Sequence, residues 1–291
     1  MLKHLSIMFV LALLCQYPLF AADGGGKKKA QPIRGTYAAA PRLANDRVDV
    51  QRLLTELKDV HANTYNWLIW TRATDWDDLQ LFLPLARKAG IKVWVTLVPH
   101  SESPPRAKFF SEPYRLDFER WATALAELSL KEPALVAWSI DDFAHNLKAF
   151  TPEYVGKFIA ASKKINPQLA FIPCCYYRQI NATLASRYAP FFDGILFPYR
   201  AESVKADLSN SAQVKAEIDT IKQHFGRAFP VILDVYATAH SSLGASTPAY
   251  VEAVIKAGIK NADGVFIYCH QDPVAQQPKY QIIRQEFAAA K

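Results

Sequence analysis

Cysteine is scarce, four in 291 residues, with no Cys-x-x-Cys pair and no Cys/His spacing, which excludes a disulfide scaffold and offers no zinc site. Glycine is scarce as well, at 11, and no glycine-rich turn follows an early strand, so the usual phosphate cradle of nucleotide-binding folds is missing. The chain has no His-Glu-x-x-His or His-x-His for a metal hydrolase and no Gly-x-Ser-x-Gly for a serine hydrolase. Beyond the first residues no apolar run approaches the ~20 residues of a membrane span. The formal charge of +7 is not gathered into a nucleic-acid surface. Its one dense run, Lys27, Lys28 and Lys29, adjoins Gly24, Gly25 and Gly26 and reads as a solvated linker.

What is there is a globular composition, 51% hydrophobic against 21% charged, which is too apolar for disorder. Residues 1–22 have the form of a secretory signal peptide: Lys3 and His4, an apolar stretch over 5–14, then Ala21 and Ala22 where a signal peptidase would cut. Leu14, a large residue directly before Cys15, argues against a lipoprotein signal. Residues 23–31 are expected to form a flexible Gly/Lys linker and 32–291 one domain, secreted or periplasmic. Of the remaining cysteines, Cys174, Cys175 and Cys269 read as small buried hydrophobes, with a bridge from Cys174 or Cys175 to Cys269 as the alternative.

From Pro32 onward, short β-branched or aromatic runs alternate with amphipathic segments. Strands are expected at 33–37, 64–70, 93–99, 136–140, 170–173, 194–198, 231–235 and 264–268, and helices at 48–60, 76–89, 116–130, 152–165, 180–188, 212–224, 248–257 and 279–289. Val50, Leu53, Leu54 and Leu57 show the spacing of a helix buried on one side. Thr151-Pro152 and Thr247-Pro248 pair an N-cap with proline at the first helical position, and Gly90 and Gly226 follow helix ends. Eight strand-then-helix units of about 30 residues predict a single (β/α)8 TIM barrel, with a doubly wound open sheet as the alternative.

Barrel chemistry lies at the C-terminal ends of the strands, where the loops converge on the axis. The candidate ligand-binding residues there are Tyr37, Asn66, Trp70, His100, Asn146, Tyr176, Tyr177, Tyr199, Arg200, Asp234, Tyr236, Tyr268 and His270. Aromatics and carboxylates together suit sugars, which present apolar C–H faces and many hydroxyls. The sharpest feature is Ala137-Trp138-Ser139-Ile140-Asp141-Asp142-Phe143, an apolar strand that runs straight into two carboxylates. Successive strand residues point to opposite sides, so Asp141 and Asp142 meet different environments and can divide acid and helper roles. The plain structural alternative has Asp142 capping the next turn and Asp141 pairing with an arginine.

A strand-four end reading apolar-Asp-Asp-apolar resembles the catalytic pair of O-GlcNAcase-type β-N-acetylglucosaminidases, glycoside hydrolase family 84, and more loosely other hexosaminidase barrels. The resemblance covers chiefly strands four and five. It implies Asp141 as the residue that polarises the substrate's 2-acetamido group and Asp142 as general acid/base, with no separate protein nucleophile. It also implies an acetamide contact for Tyr176 or Tyr177. The expected activity is hydrolysis of a glycan, without cofactor or metal. The alternatives are a noncatalytic carbohydrate-binding barrel and a conventional retaining glycosidase that pairs Asp142 with Asp234, or next with Glu102.

Overall fold

The computed structural model describes residues 31–290, so the leader and nearly all of the linker lie outside the described residues. The strands are β1 (Ile33–Tyr37), β2 (Thr64–Ile69), β3 (Lys92–Leu97), β4 (Leu135–Ile140), β5 (Ala170–Phe171), β6 (Ile195–Tyr199), β7 (Val231–Tyr236), β8 (Ala239–His240), β9 (Gly244–Ala245) and β10 (Gly264–Tyr268). The helices are α1 (Val50–Asp59), α2 (Asp75–Ala89), α3 (Phe118–Lys131), α4 (Pro152–Ile165), α5 (Ala182–Tyr188), α6 (Val214–Phe225), α7 (Pro248–Asn261) and α8 (Gln277–Ala289). All strands but β8 and β9 pair in parallel in the order β5-β4-β3-β2-β1-β10-β7-β6.

The two edges of that sheet meet. Leu196 N–H donates to Pro173 O at 3.0 Å and Cys175 N–H to Leu196 O at 3.0 Å, around a parallel bridge between Cys174 and Leu196. This seam closes the expected (β/α)8 barrel. β5 is shorter than expected, yet Ile172 and Cys174 go on donating to the β4 carbonyls of Trp138 and Ile140. Pro173 between them has no N–H to give. The short antiparallel hairpin β8–β9, which the sequence pattern did not announce, is inserted between β7 and α7.

Alternation along the strands sorts the core in two. One apolar cluster fills the space between sheet and helices and holds Trp67, Val95, Trp138, Phe197, Leu233 and Ile267 among others. The smaller one fills the lumen with Ile33, Tyr37, Trp94, Ala137, Ile172, Cys174, Leu196, Ile232 and Phe266. Gly35 shares this inner face. A Cβ there would lie 2.3 Å from the Phe266 ring and 2.9 Å from Thr64 O, so the glycine makes room for the phenylalanine. The caps form as read: Thr151 and Thr247 accept from Tyr154 N–H (3.3 Å) and Tyr250 N–H (3.1 Å), and Gly90 ends α2 at φ 71°. Among the described residues no helix is long and apolar enough to cross a membrane.

Candidate functional site at the mouth of the barrel

Asp141 extends the β4 ladder by donating its N–H to Leu97 O at 2.9 Å. By alternation from Ala137 and Ser139 its side chain belongs to the lumen face. Asp142 then breaks the strand by entering the left-handed region at φ 43°, which an aspartate tolerates better than most residues. Its carbonyl accepts from His145 N–H (3.0 Å) and Asn146 Nδ2 (2.9 Å), which starts a 3-10 turn over Phe143–Asn146. That turn is anchored. Phe143 N–H donates to Cys174 O at 3.0 Å, and its buried ring stacks on Phe150 at 5.0 Å. Asn146 joins it to the turn after β3, accepting from Ser101 N–H (3.1 Å) and donating to Ser101 Oγ (2.9 Å).

The two carboxylates have unlike surroundings. Asp141 receives the Asp142 N–H at 3.0 Å, the Tyr37 hydroxyl at 3.4 Å and the Cys174 thiol. Burial first, then the charge of Asp142, pushes its pKa up to about 7 against those hydrogen bonds. Tyr37 and Cys174 are themselves pushed up by burial, so both stay protonated and donate. Asp142 lies 3.5 Å from His145 Nδ1, and that contact raises the His145 pKa. Glu102, beyond β3, is raised by burial and then by the Asp142 charge.

A wall of rings surrounds the pair. Tyr37 and Tyr268 lie 5.1 Å apart, Tyr268 and Tyr236 5.4 Å, and the Tyr236 and Tyr176 hydroxyls meet at 3.3 Å. The Arg200 guanidinium sits 4.2 Å over the Tyr176 ring, pairs with Glu202, and donates to His240 Nε2 at 2.9 Å. Burial and the Arg200 charge lower the His240 pKa, consistent with a neutral acceptor. Below lies a polar layer: Thr96 donates to Asn66 Oδ1 at 2.8 Å, while Asn66 Nδ2, Ser139 Oγ and Asp234 Oδ1 have no partner among the described residues. Asp234 is buried on β7, and burial, then Asp141, raises its pKa well above its ordinary value. Proton donor, carboxylates, rings and a cation thus converge at the C-terminal ends of the strands.

The structure brings together Tyr37, Asp141, Asp142, Tyr176, Arg200, Tyr236 and Tyr268, with Asn146 bracing them and Asp234 beneath. Others fall elsewhere. Asn66 is buried in the lumen with Thr96. Trp70 donates to Glu102 O (2.9 Å) and Phe109 O (3.2 Å) and holds the β3–α3 loop. His100 rests on Phe118 and Phe150, and Tyr177 packs towards Phe197. Tyr199 faces the helices and donates to Asn210 O at 2.8 Å. His270 is buried between Thr36 Oγ1 and Glu56 Oε2, each at 2.9 Å. Cys174, Cys175 and Cys269 are unbridged. The thiol contact of Cys174 to Asp141 escaped sequence reasoning, although alternation from Ala170 and Ile172 places Cys174 in the lumen. Among the described residues no three His, Cys, Asp or Glu side chains converge as a metal would require.

The sequence matches no family model and no curated protein. Solved structures do share its fold. A GH2 β-galacturonidase from Eisenbergiella tayi, bound to galacturonate, superposes with TM-score 0.62 at 13% identity over 89% of this chain and 51% of its own. A β-D-glucuronidase from Dictyoglomus thermophilum gives 0.60 at 14% over 90% and 51%. A β-glucanase from Saccharophagus degradans gives 0.62 at 13% over 90% of both chains. The chain spans about half the length of the first of these. What the chain shares with these enzymes is the barrel fold. None of the three is a hexosaminidase, so the narrower likeness read from the Asp-Asp pair gains nothing from them.

Proposed function

We propose that the protein hydrolyses a glycosidic bond of a glycan held at the barrel mouth, outside the cytoplasm, with Asp141 and Asp142 as the acid pair. The observation that carries this reading is the unequal pair itself: one carboxyl held protonated to about pH 7, beside one paired with His145, inside a ring of tyrosines. A general acid works best with a pKa near the working pH. Asp141 is accordingly the donor to the leaving oxygen. Asp142, paired with His145, is the helper that orients the reacting group, an acetamide if the sugar is an N-acetylhexosamine. This exchanges the roles implied by the hexosaminidase resemblance. The pairing of Asp142 with Asp234 as nucleophile is less well served, because Asp234 is buried deep in the lumen, where burial disfavours the carboxylate a nucleophile must be.

The test is hydrolysis of a panel of aryl glycosides, the N-acetylglucosaminide and N-acetylgalactosaminide included, by wild type, Asp141→Asn and Asp142→Asn. Release from at least one sugar should drop about 100-fold or more in each variant. The wild-type rate should fall as pH rises through about 7, where Asp141 loses its proton. Folded protein that binds sugars but releases nothing from aryl or polymeric glycosides is the noncatalytic binding barrel, and overturns the reading.

A further inference from the structure

A cavity lies at the same C-terminal end of the strands, between the ends of β1, β7 and β10 and the helices α1 and α8. Its volume is about 480 Å³, within the roughly 300–1,000 Å³ of small-molecule sites. Neither Asp141, Asp142 nor any of the four mouth tyrosines lines it: Tyr37 and Tyr268 stand at the mouth, while Ala39, two residues after Tyr37, and Cys269, directly after Tyr268, line this cavity.

Its acids are already served. Glu56 accepts from Arg52 Nε (2.6 Å) and His270 Nε2 (2.9 Å), and Asp272 from Arg52 and the Val274 and Ala275 N–H groups. Two groups are not served. Gln271, 4% exposed, donates through Nε2 to Cys269 O at 2.7 Å and leaves Oε1 with no partner among the described residues. Lys279 gives two of its three N–H bonds, to Ala237 O (2.8 Å) and Ser246 Oγ (3.0 Å), and has no carboxylate within ion-pair distance among the described residues. It is the third residue of α8, where the helix dipole disfavours a cation. An unfilled acceptor calls for a hydroxyl, and an uncompensated ammonium for an anion. A ligand with both is a sugar acid.

We propose that this cavity is a second carbohydrate site, selective for a uronic acid residue, with its carboxylate on Lys279 Nζ and a ring hydroxyl on Gln271 Oε1. It rests on the glycan reading only in expecting the protein to meet such sugars. Calorimetric titration with D-galacturonate and D-galactose tests it on wild type, Asp142→Asn, Lys279→Met and Gln271→Glu, each checked for folding by thermal melting. Wild type and Asp142→Asn should bind galacturonate alike, and galactose about ten-fold more weakly or worse. Lys279→Met should reduce galacturonate to the galactose level. Gln271→Glu, nearly isosteric, should repel the acid and spare galactose, which a purely structural role would not do. Galacturonate binding that survives both substitutions, or none in wild type, overturns the proposal. Lys279-dependent binding without hydrolysis would leave this site standing and remove the catalytic reading; hydrolysis without such binding would do the reverse.

Discussion

Asp75, at the start of α2, and Asp141, at the end of β4, both lie at the C-terminal end of the parallel strands, the first on the helix side of the sheet and the second on the lumen side, and their partners differ. Asp75 receives Arg42 (2.6 Å), the Thr71 hydroxyl (3.2 Å) and the N–H groups of Trp70 (3.1 Å) and Arg72 (2.9 Å), and its carbonyl takes the Trp67 indole at 3.0 Å. Asp141 has no cation beside it, only one N–H, a long hydroxyl contact and a thiol, and a second carboxylate next to it. Asp234, deeper in the lumen, has an oxygen with no donor at all. An acid saturated with donors builds structure. One left short of them keeps its proton into the neutral range and can hand it over.

The largest effect expected from this contrast is at Asp75. Asp75→Ala would strand Arg42 and two backbone N–H groups and should cost about 3–5 kcal/mol in urea unfolding, as breaking a buried pair does; a loss below about 1 kcal/mol would dissolve the comparison. Asp141 should act through pH. Its carboxyl has an ordinary value of 3.8 and is raised to about 7 in the folded protein, so the folded state holds a proton that the unfolded state releases between those values. Its contribution is therefore intact below about pH 4 and lost as pH rises to about 7, on the order of 4 kcal/mol across that window. Chemical unfolding as a function of pH should show this slope in wild type and a flatter profile in Asp141→Asn. A smaller change belongs to a residue outside both networks: Thr247→Ala, which removes the α7 cap, should cost about 1 kcal/mol in thermal or urea unfolding, irrespective of pH. Smallest is Asp234→Asn, which replaces an acid whose pKa is raised by burial with a neutral near-isostere and should alter stability at pH 7 by no more than about 0.5 kcal/mol. A large loss there would mean that Asp234 is ionised and paired after all.

The framework was legible because its signals are local. β1 and β10 have the expected bounds, and Thr151 and Thr247 cap α4 and α7 as their Thr-Pro pairs indicate. The Asp141-Asp142 pair was legible for the same reason, since a strand end in a counted barrel fixes which face it reaches. What was not legible depends on parity and on turns. Tyr199 follows an inward position of β6 and so points out towards α7, where Tyr250 donates to its carbonyl at 3.2 Å. His270 lies past the end of β10, where the chain leaves the ladder: its N–H reaches Tyr37 O at 3.0 Å while its ring turns under α1 to Glu56. Neither fact follows from residue type. The β8–β9 hairpin is two residues a side, too short for an alternation to register.

The claim that the mouth holds a protonated aspartate is tested most directly by carbon-13 NMR of the aspartate carboxyls, titrated from acid to neutral pH in wild type and Asp141→Asn. The account predicts a wild-type resonance with a midpoint at about 7 that is missing from the variant. A titration in which every resonance assigned by that substitution moves near the ordinary value of about 3.9 would contradict it, and would return Asp141 to the company of Asp75.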